Sequence, residues 1–211
     1  MIIILIGPQG SGKGTQARLL AEKFNLFYFE MGSFLRELAK KNPLVDKIIN
    51  KKGELLPDDM FFFAMKELLG KNISENRGVI LDGFPRTLRQ YDLLKNWFSE
   101  EKIKMDIVIF LDISKGETIR RLSARRVCEK CGKNYNLITN PPLEDLCKCK
   151  GKLIQRDDDK PAQIEKRLQI FSQNTKPLLD LFNKEGVLYK VDGERPIDEI
   201  QRDLVRIVEG K

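Results

Sequence analysis

The sequence predicts an α/β fold, a three-layer arrangement with a central parallel sheet flanked by helices and two inserted mobile lobes. Three observations lead there. Continuous apolar runs alternate with helical patterns along most of the chain, as buried parallel strands and their crossover helices do. A glycine-rich turn, Gly7-Pro8-Gln9-Gly10-Ser11-Gly12-Lys13-Gly14-Thr15, joins the first apolar run to the first helix. Two irregular stretches, 30–59 and 122–159, interrupt the alternation and read as insertions. The remaining segments, 1–29, 60–121 and 160–211, form the core.

Met1–Ile6 reads as a buried strand because its apolar run does not alternate. Lys13–Phe24 is amphipathic, with Leu19, Leu20 and Phe24 expected inward, and Leu26–Phe29 is a short second strand. Ser33–Lys41 carries Phe34, Leu35 and Leu38 at helical spacing, and Asn42-Pro43 breaks it. A short helix is expected over Leu44–Asn50, ended by Gly53. Asp58 is placed as the N-cap of a helix over Asp59–Leu69, with Gly70 after it. Val79–Leu81 is a strand, Thr87–Glu100 a helix and Met105–Leu111 another strand. A helix is expected over Lys115–Arg126, then the irregular 128–155, then one long helix over Lys160–Lys184. Leu188–Val191 and Pro196–Glu209 complete the alternation as a strand and a helix.

The 211 residues are 41% hydrophobic, enough for one sizeable core. No apolar run reaches the length of a membrane-spanning helix, and no basic leader precedes the first strand, so a cytoplasmic protein without membrane association is expected. The formal charge is +7, yet no uninterrupted basic tract occurs, which favours a polyphosphate pocket over nucleic acid. There is no histidine, so any mechanism with a histidine base, nucleophile or metal ligand is excluded.

The first turn has the composition of a phosphate-binding loop. Its glycines let successive backbone N–H groups converge, and the helix that follows brings its positive end to the same place. Lys13 can reach the outer phosphates as a mobile charge, and Thr15 offers a hydroxyl near a metal. Asp82-Gly83-Phe84-Pro85-Arg86 ends the third strand of the core. An acid there can orient Mg2+ or its waters, and an arginine four residues later can meet a phosphate. Because ligands of open parallel sheets bind beyond the carboxyl ends of the strands, this turn, the glycine-rich loop and Asp192-Gly193 fall on one rim.

The four cysteines all lie between 128 and 149, which argues for a metal rather than disulfides in a cytosolic protein. Cys128-x2-Cys131 has zinc-knuckle spacing, whereas Cys147-x-Cys149 is one residue shorter than a usual second pair. A four-thiolate structural Zn2+ site is the favoured reading, with free thiols as the alternative.

With these motifs together, the chain resembles the adenylate kinases. The resemblance rests on Gly7–Thr15 in its GKGT form, Ile80–Arg86 followed by Gln90, Arg125-Arg126, and Arg156-Asp157-Asp158-Asp159 followed by Arg167. It covers essentially the whole chain, the four-cysteine insert included. It implies a monomer that transfers the terminal phosphoryl group of MgATP to AMP, giving two ADP. It also implies that 30–59 is the lobe binding the monophosphate and that 122–159 is a lid.

Carried onto this sequence, the resemblance places the ATP phosphates on Gly10, Ser11, Gly12, Lys13, Gly14 and Thr15. Arg121 would stack on the ATP base, with Arg125, Tyr135 and Arg195 nearby. On the AMP side it implies Arg36, Leu56, Gly83, Gln90 and Met31. Arg86, Arg156 and Arg167 would hold AMP and the phosphate in flight, and Asp82 would serve the metal. Asp158 and Asp159 match acids that pair with arginines when the lid closes.

One departure concerns the acceptor. Met31-Gly32-Ser33 stands where the family usually has Thr-Gly-Asp. Methionine cannot donate the hydrogen bond of a threonine, so a kinase with a different or broader acceptor base remains an alternative. The plainer reading of Met31, an apolar packing residue, is the favoured one. A remote alternative is a nucleotide-gated module that binds nucleic acid.

Overall fold

The computed structural model describes residues 1–48, 56–74, 78–143 and 145–211. The core elements begin with β1 (Ile2–Ile6), α1 (Lys13–Phe24) and β2 (Phe27–Glu30), followed by α2 (Met31–Lys41), α3 (Pro43–Asp46) and α4 (Asp58–Ser74). Then come β3 (Val79–Asp82), α5 (Leu88–Glu100), β4 (Ile107–Asp112) and α6 (Lys115–Ser123). A small antiparallel sheet of β5 (Arg125–Cys128), β6 (Asn134–Asn136) and β7 (Leu153–Ile154) interrupts the core. The chain returns through α7 (Pro161–Ile170), α8 (Lys176–Lys184), β8 (Leu188–Asp192) and α9 (Ile197–Glu209).

The main sheet has five parallel strands in the order β2-β3-β1-β4-β8. Successive side chains of a strand face opposite sides, so the apolar run of β1 feeds two cores. Ile2, Ile4 and Ile6 join Phe29, Phe61, Leu81, Phe84 and Phe182 on one face. Ile3 and Leu5 join Leu20, Ile80, Ile109 and Leu204 on the other, beneath α1 and α9. Fully burying each such side chain contributes about 1.5–3 kcal/mol, which is why the run has no polar residue. The expected three-layer α/β fold is the one observed.

Several element boundaries differ from expectation. On α1 the buried face is Ala17, Leu20 and Ala21, while Leu19 is exposed. α2 starts directly after β2, at Met31 rather than Ser33. The expected helix over Leu44–Asn50 is described as α3, capped by the Asn42 side chain, with the helical winding continuing through Ile48; its last two residues and Gly53 lie outside the described residues. α4 includes Asp58 and continues through Gly70 to Ser74, because Leu69 and Ile73 pack into the core and outweigh the roughly 1 kcal/mol cost of an interior glycine.

α6 stops at Ser123, so Arg125 and Arg126 are strand residues, not helical ones. Their backbone pairs with β6, Arg125 opposite Asn136 and Arg126 opposite Tyr135. The single helix expected over Lys160–Lys184 is instead α7 and α8 joined by a widened turn, Phe171–Thr175. Pro177 has no N–H to continue the ordinary ladder, and the turn brings the Thr175 hydroxyl to the Arg86 carbonyl at 2.9 Å. Among the described residues, no helix is long and apolar enough to cross a membrane.

Candidate active site

A cleft of about 1490 Å3 opens at the carboxyl ends of the parallel strands. Every nucleotide-site residue expected from the sequence lines it: Gly10 to Thr15, Met31, Arg36, Leu56, Asp82, Gly83, Arg86, Gln90, Arg121, Arg125, Tyr135, Arg156, Arg167 and Arg195. They come from the first loop, α2, the segment before α4, the β3 turn, α5, α6, the small sheet, the segment between β7 and α7, α7 and the loop after β8. Only the main fold brings them together.

The glycine-rich loop is held tightly. Gly12, at φ 92°, adopts a left-handed conformation just before α1. A Cβ on Gly7 would collide with the Leu111 carbonyl and sit 2.8 Å from the Ser11 hydroxyl, so the loop passes β4 only as glycine. The amides of Thr15 and Gln16 donate to the Gly12 carbonyl as the helix begins. Lys13 Nζ donates to the carbonyls of Gly7 and Pro8, both at 2.8 Å, and approaches Ser11 Oγ at 3.3 Å. Burial, partly offset by Asp82 and reinforced by Arg86, Arg167 and Arg125, pulls the Lys13 ammonium down to about 8. An anion entering the cleft reverses that effect.

Asp82 closes β3 and is buried. Burial raises its carboxyl above the usual range against the pull of Lys13. Its Oδ2 accepts from the Tyr28 hydroxyl at 2.9 Å. Glu30 sits opposite Asp82 in the β2–β3 register and pairs with Arg18 at 3.0 Å and Arg36 at 3.5 Å. Burial acts to raise the Glu30 carboxyl, but a Ser33 hydrogen bond and these guanidiniums outweigh it and hold the group below the usual range. Arg18, Tyr28 and Glu30 were not anticipated from sequence. The two-residue spacing of Tyr28 and Glu30, which puts both on one face of β2, was the available signal.

On the opposite wall the arginines are already paired. Arg125 Nε donates to Asp159 Oδ2 at 2.7 Å, and the same guanidinium binds Oδ1, making a two-point contact. Arg156 grips Asp158 similarly at 2.8 and 2.7 Å. Arg167 lies 3.1 Å from Asp158 and 3.4 Å from Asp159. Burial beside Arg125 and Arg156 brings Arg167 down to about 10, so it remains a cation at neutral pH. Arg86 Nε donates to the Gly83 carbonyl at 2.8 Å. Arg121 is tied to Glu117 and to the Gly193 and Glu194 carbonyls, and Arg195 to Asp203.

The four cysteines converge in the small lobe. Their Sγ atoms all lie within 4.8 Å of one another, with Cys128–Cys149 and Cys131–Cys147 at 3.5 Å. Four sulfurs around one zinc at Zn–S about 2.3 Å would be about 3.8 Å apart. The short Cys147-x-Cys149 spacing therefore does not prevent a cluster of this shape. A Cβ on Gly151 would fall 2.5 Å from Cys128 Sγ and 3.3 Å from Cys149 Sγ, so the backbone there closes directly on the sulfurs. The Tyr135 hydroxyl lies 3.4 Å from Cys147 Sγ, linking this cluster to a residue that lines the cleft.

A glycine-rich loop at a helix start, an acid ending the adjacent strand and a facing fan of arginines define a P-loop nucleotide-binding protein built for phosphoryl transfer. The comparison with known proteins narrows this class. The family model described as adenylate kinase matches residues 5–187. A Methanocella arvoryzae protein named adenylate kinase is 43% identical over 97% of this chain and 96% of its own. Relatives of the same name from Archaeoglobus fulgidus and Staphylococcus aureus are 41% and 37% identical, each over 99% of this chain and over 98% and 99% of their own. The chain belongs to the adenylate kinase family, phosphotransferases that pass the terminal phosphoryl group of ATP to AMP and use Mg2+ with ATP.

Proposed function

We propose that the cleft seats MgATP and AMP end to end, with the transferring phosphoryl between Lys13 and the arginine fan. The observation that carries this is the convergence on one cleft of the loop with Arg36, Arg86, Arg125, Arg156 and Arg167. The Gly10–Thr15 amides and Lys13 hold the ATP phosphates. Arg121, Tyr135 and Arg195 line the ATP end. Met31, Leu56, Gly83 and Gln90 line the AMP end, where Arg36 and Arg86 meet its phosphate.

An AMP phosphate oxygen attacks the terminal phosphorus, and the bond to the bridging oxygen of ATP breaks, leaving two ADP. The nucleophile is already an anion, so no base is needed, in keeping with the lack of histidine. Charge spreads over the phosphoryl oxygens in flight, and fixed guanidiniums stabilise it without deprotonating. Asp158 and Asp159 hold the arginines in place to meet the phosphate oxygens.

The oxygen donors of Asp82 and Thr15 at the Lys13 end of the cleft suit a hard cation. Mg2+ bound with ATP supplies charge neutralisation there. The division into a core (1–29, 60–121, 160–211), a monophosphate lobe (30–59) and a lid (122–159) follows the same reading. So does a structural zinc held by Cys128, Cys131, Cys147 and Cys149, since four thiolates leave no position open to substrate.

The test is ADP formation from ATP and AMP, with and without Mg2+, across a panel of nucleoside monophosphates. Lys13→Met should abolish turnover. A Lys13→Met protein with unchanged rates would overturn the assignment. If CMP, UMP or GMP were phosphorylated as well as AMP, the broader-acceptor reading suggested by Met31 would stand instead.

A further inference from the structure

A hydrogen-bond chain on the acceptor wall orients Gln90. The backbone N–H of Arg86 donates to Gln90 Oε1 at 2.7 Å, and Gln90 Nε2 donates to Asp58 Oδ1 at 2.7 Å. The Thr87 hydroxyl donates to Asp58 Oδ2 at 2.8 Å while its oxygen accepts from the Gln90 backbone N–H at 3.0 Å. An amide oxygen and nitrogen often look interchangeable, but here an N–H faces one and a carboxylate faces the other, which leaves one orientation.

Each amide atom has spent one bond on the protein. One N–H hydrogen and one oxygen lone pair remain for a base to meet. That pair complements a base edge with a donor amino group at carbon 6 and an acceptor nitrogen at position 1, as in adenine. A 6-oxo purine presents the reverse, a carbonyl and an N–H. To read it the amide would have to turn over, setting its NH2 against the Arg86 N–H and its carbonyl against the Asp58 carboxylate. Met31, Leu35, Leu56 and Phe61 line the same cleft and offer no side-chain hydrogen bond to share the reading.

We propose that Asp58 is a specificity-determining positioning residue, holding the Gln90 amide in the orientation that accepts a 6-amino purine monophosphate and rejects a 6-oxo one. This rests on Gln90 being the contact to the acceptor base. Asp58→Asn is the informative change. An asparagine can turn either its carbonyl or its NH2 to Gln90, so the amide loses the partner that takes only an N–H and is held in its orientation by the Arg86 N–H alone.

The experiment measures kcat and KM for AMP and for IMP at saturating MgATP in the full chain, with melting curves for every variant. In Asp58→Asn the AMP-to-IMP ratio of kcat/KM should fall, by up to the roughly tenfold to hundredfold discrimination of one bidentate base contact, with the Arg86 N–H still anchoring one end of the amide. KM should rise for AMP and fall for IMP. A gain on IMP is not something a damaged fold produces. Thr87→Val, which frees one end of Asp58, should shift the ratio the same way by less, and carries the test if Asp58→Asn does not fold.

Equal losses on AMP and IMP in these variants would overturn the proposal. Gln90→Leu separates the two levels. If it collapses the ratio while Asp58→Asn does not, Asp58 has no such role and the base contact stands. If Gln90→Leu leaves the ratio intact, the base contact itself fails, and the role of Asp58 with it.

Discussion

Replacing Asp159 with Asn removes the charge that holds Arg125 and Arg167 while keeping the side-chain shape. The Asp159 side chain is fully buried (0% exposed), the Arg125 side chain is 18% exposed, and Arg167 Nη1 stands 3.4 Å away with its side chain 25% exposed. Deleting one partner of a fully buried ion pair costs about 3–5 kcal/mol, and a solvent-exposed pair contributes about 0–1 kcal/mol. With one partner sealed and the others partly wetted, about 2–3 kcal/mol is expected. For a chain of this size that is a fall in Tm of roughly 5–10 °C. Phosphate oxygens supply the missing negative charge, so saturating ATP should raise the Tm of Asp159→Asn more than that of the wild type. The assay is thermal melting of both proteins with and without ATP. A ligand-free Tm within about 1 °C of wild type, or equal ATP-induced rises, would refute the reasoning.

Three further outcomes follow from the same geometry. Burial holds Lys13 at about 8, below its unfolded value, and a bound phosphate favours the charged form; ATP binding should therefore take up protons above about pH 8, seen as buffer-dependent heats in calorimetry, and kcat/KM for ATP should fall as pH rises through that value. The unfolded chain binds the extra proton between about pH 8 and its ordinary value near 10.4, so this group adds stability to the ligand-free protein as pH rises across that window. Gly151→Ala places a Cβ 2.5 Å from Cys128 Sγ and should lower zinc content and the melting temperature together, read by metal analysis and melting; a full equivalent of zinc with an unmoved melt would contradict the sulfur cradle. Arg86→Ala should lower kcat roughly 10³–10⁵-fold, measured as ADP formation.

The local signals are legible in the chain itself. Ile2–Ile6 and Ile107–Leu111 announce buried strands because a strand covered on both faces tolerates no alternation. The glycine-rich loop is legible because its backbone needs glycine where φ is positive or a neighbouring strand crowds it. The Asp82–Arg86 turn and the cysteine spacing carry their chemistry in a few adjacent residues. Even the arginines are identifiable, although only as a joint pattern.

What the chain conceals are partnerships between distant segments. Arg125 and Arg126 continue a helical pattern in sequence, yet pairing with β6 makes them strand residues and turns Arg125 toward Asp159. Asp58 reads as a helix cap until α5 packs beside α4 and presents Thr87 and Gln90 to its carboxylate. Glu30 becomes part of the site only because β2 pairs with β3 and places it opposite Asp82. Residue types and their local spacing determined the fold class and the phosphate chemistry, since backbone sterics and burial act over a few residues. Which charges pair, and which way the Gln90 amide points, were decided by the tertiary structure, because hydrogen bonds between groups 30 or more positions apart exist only after the sheet has formed.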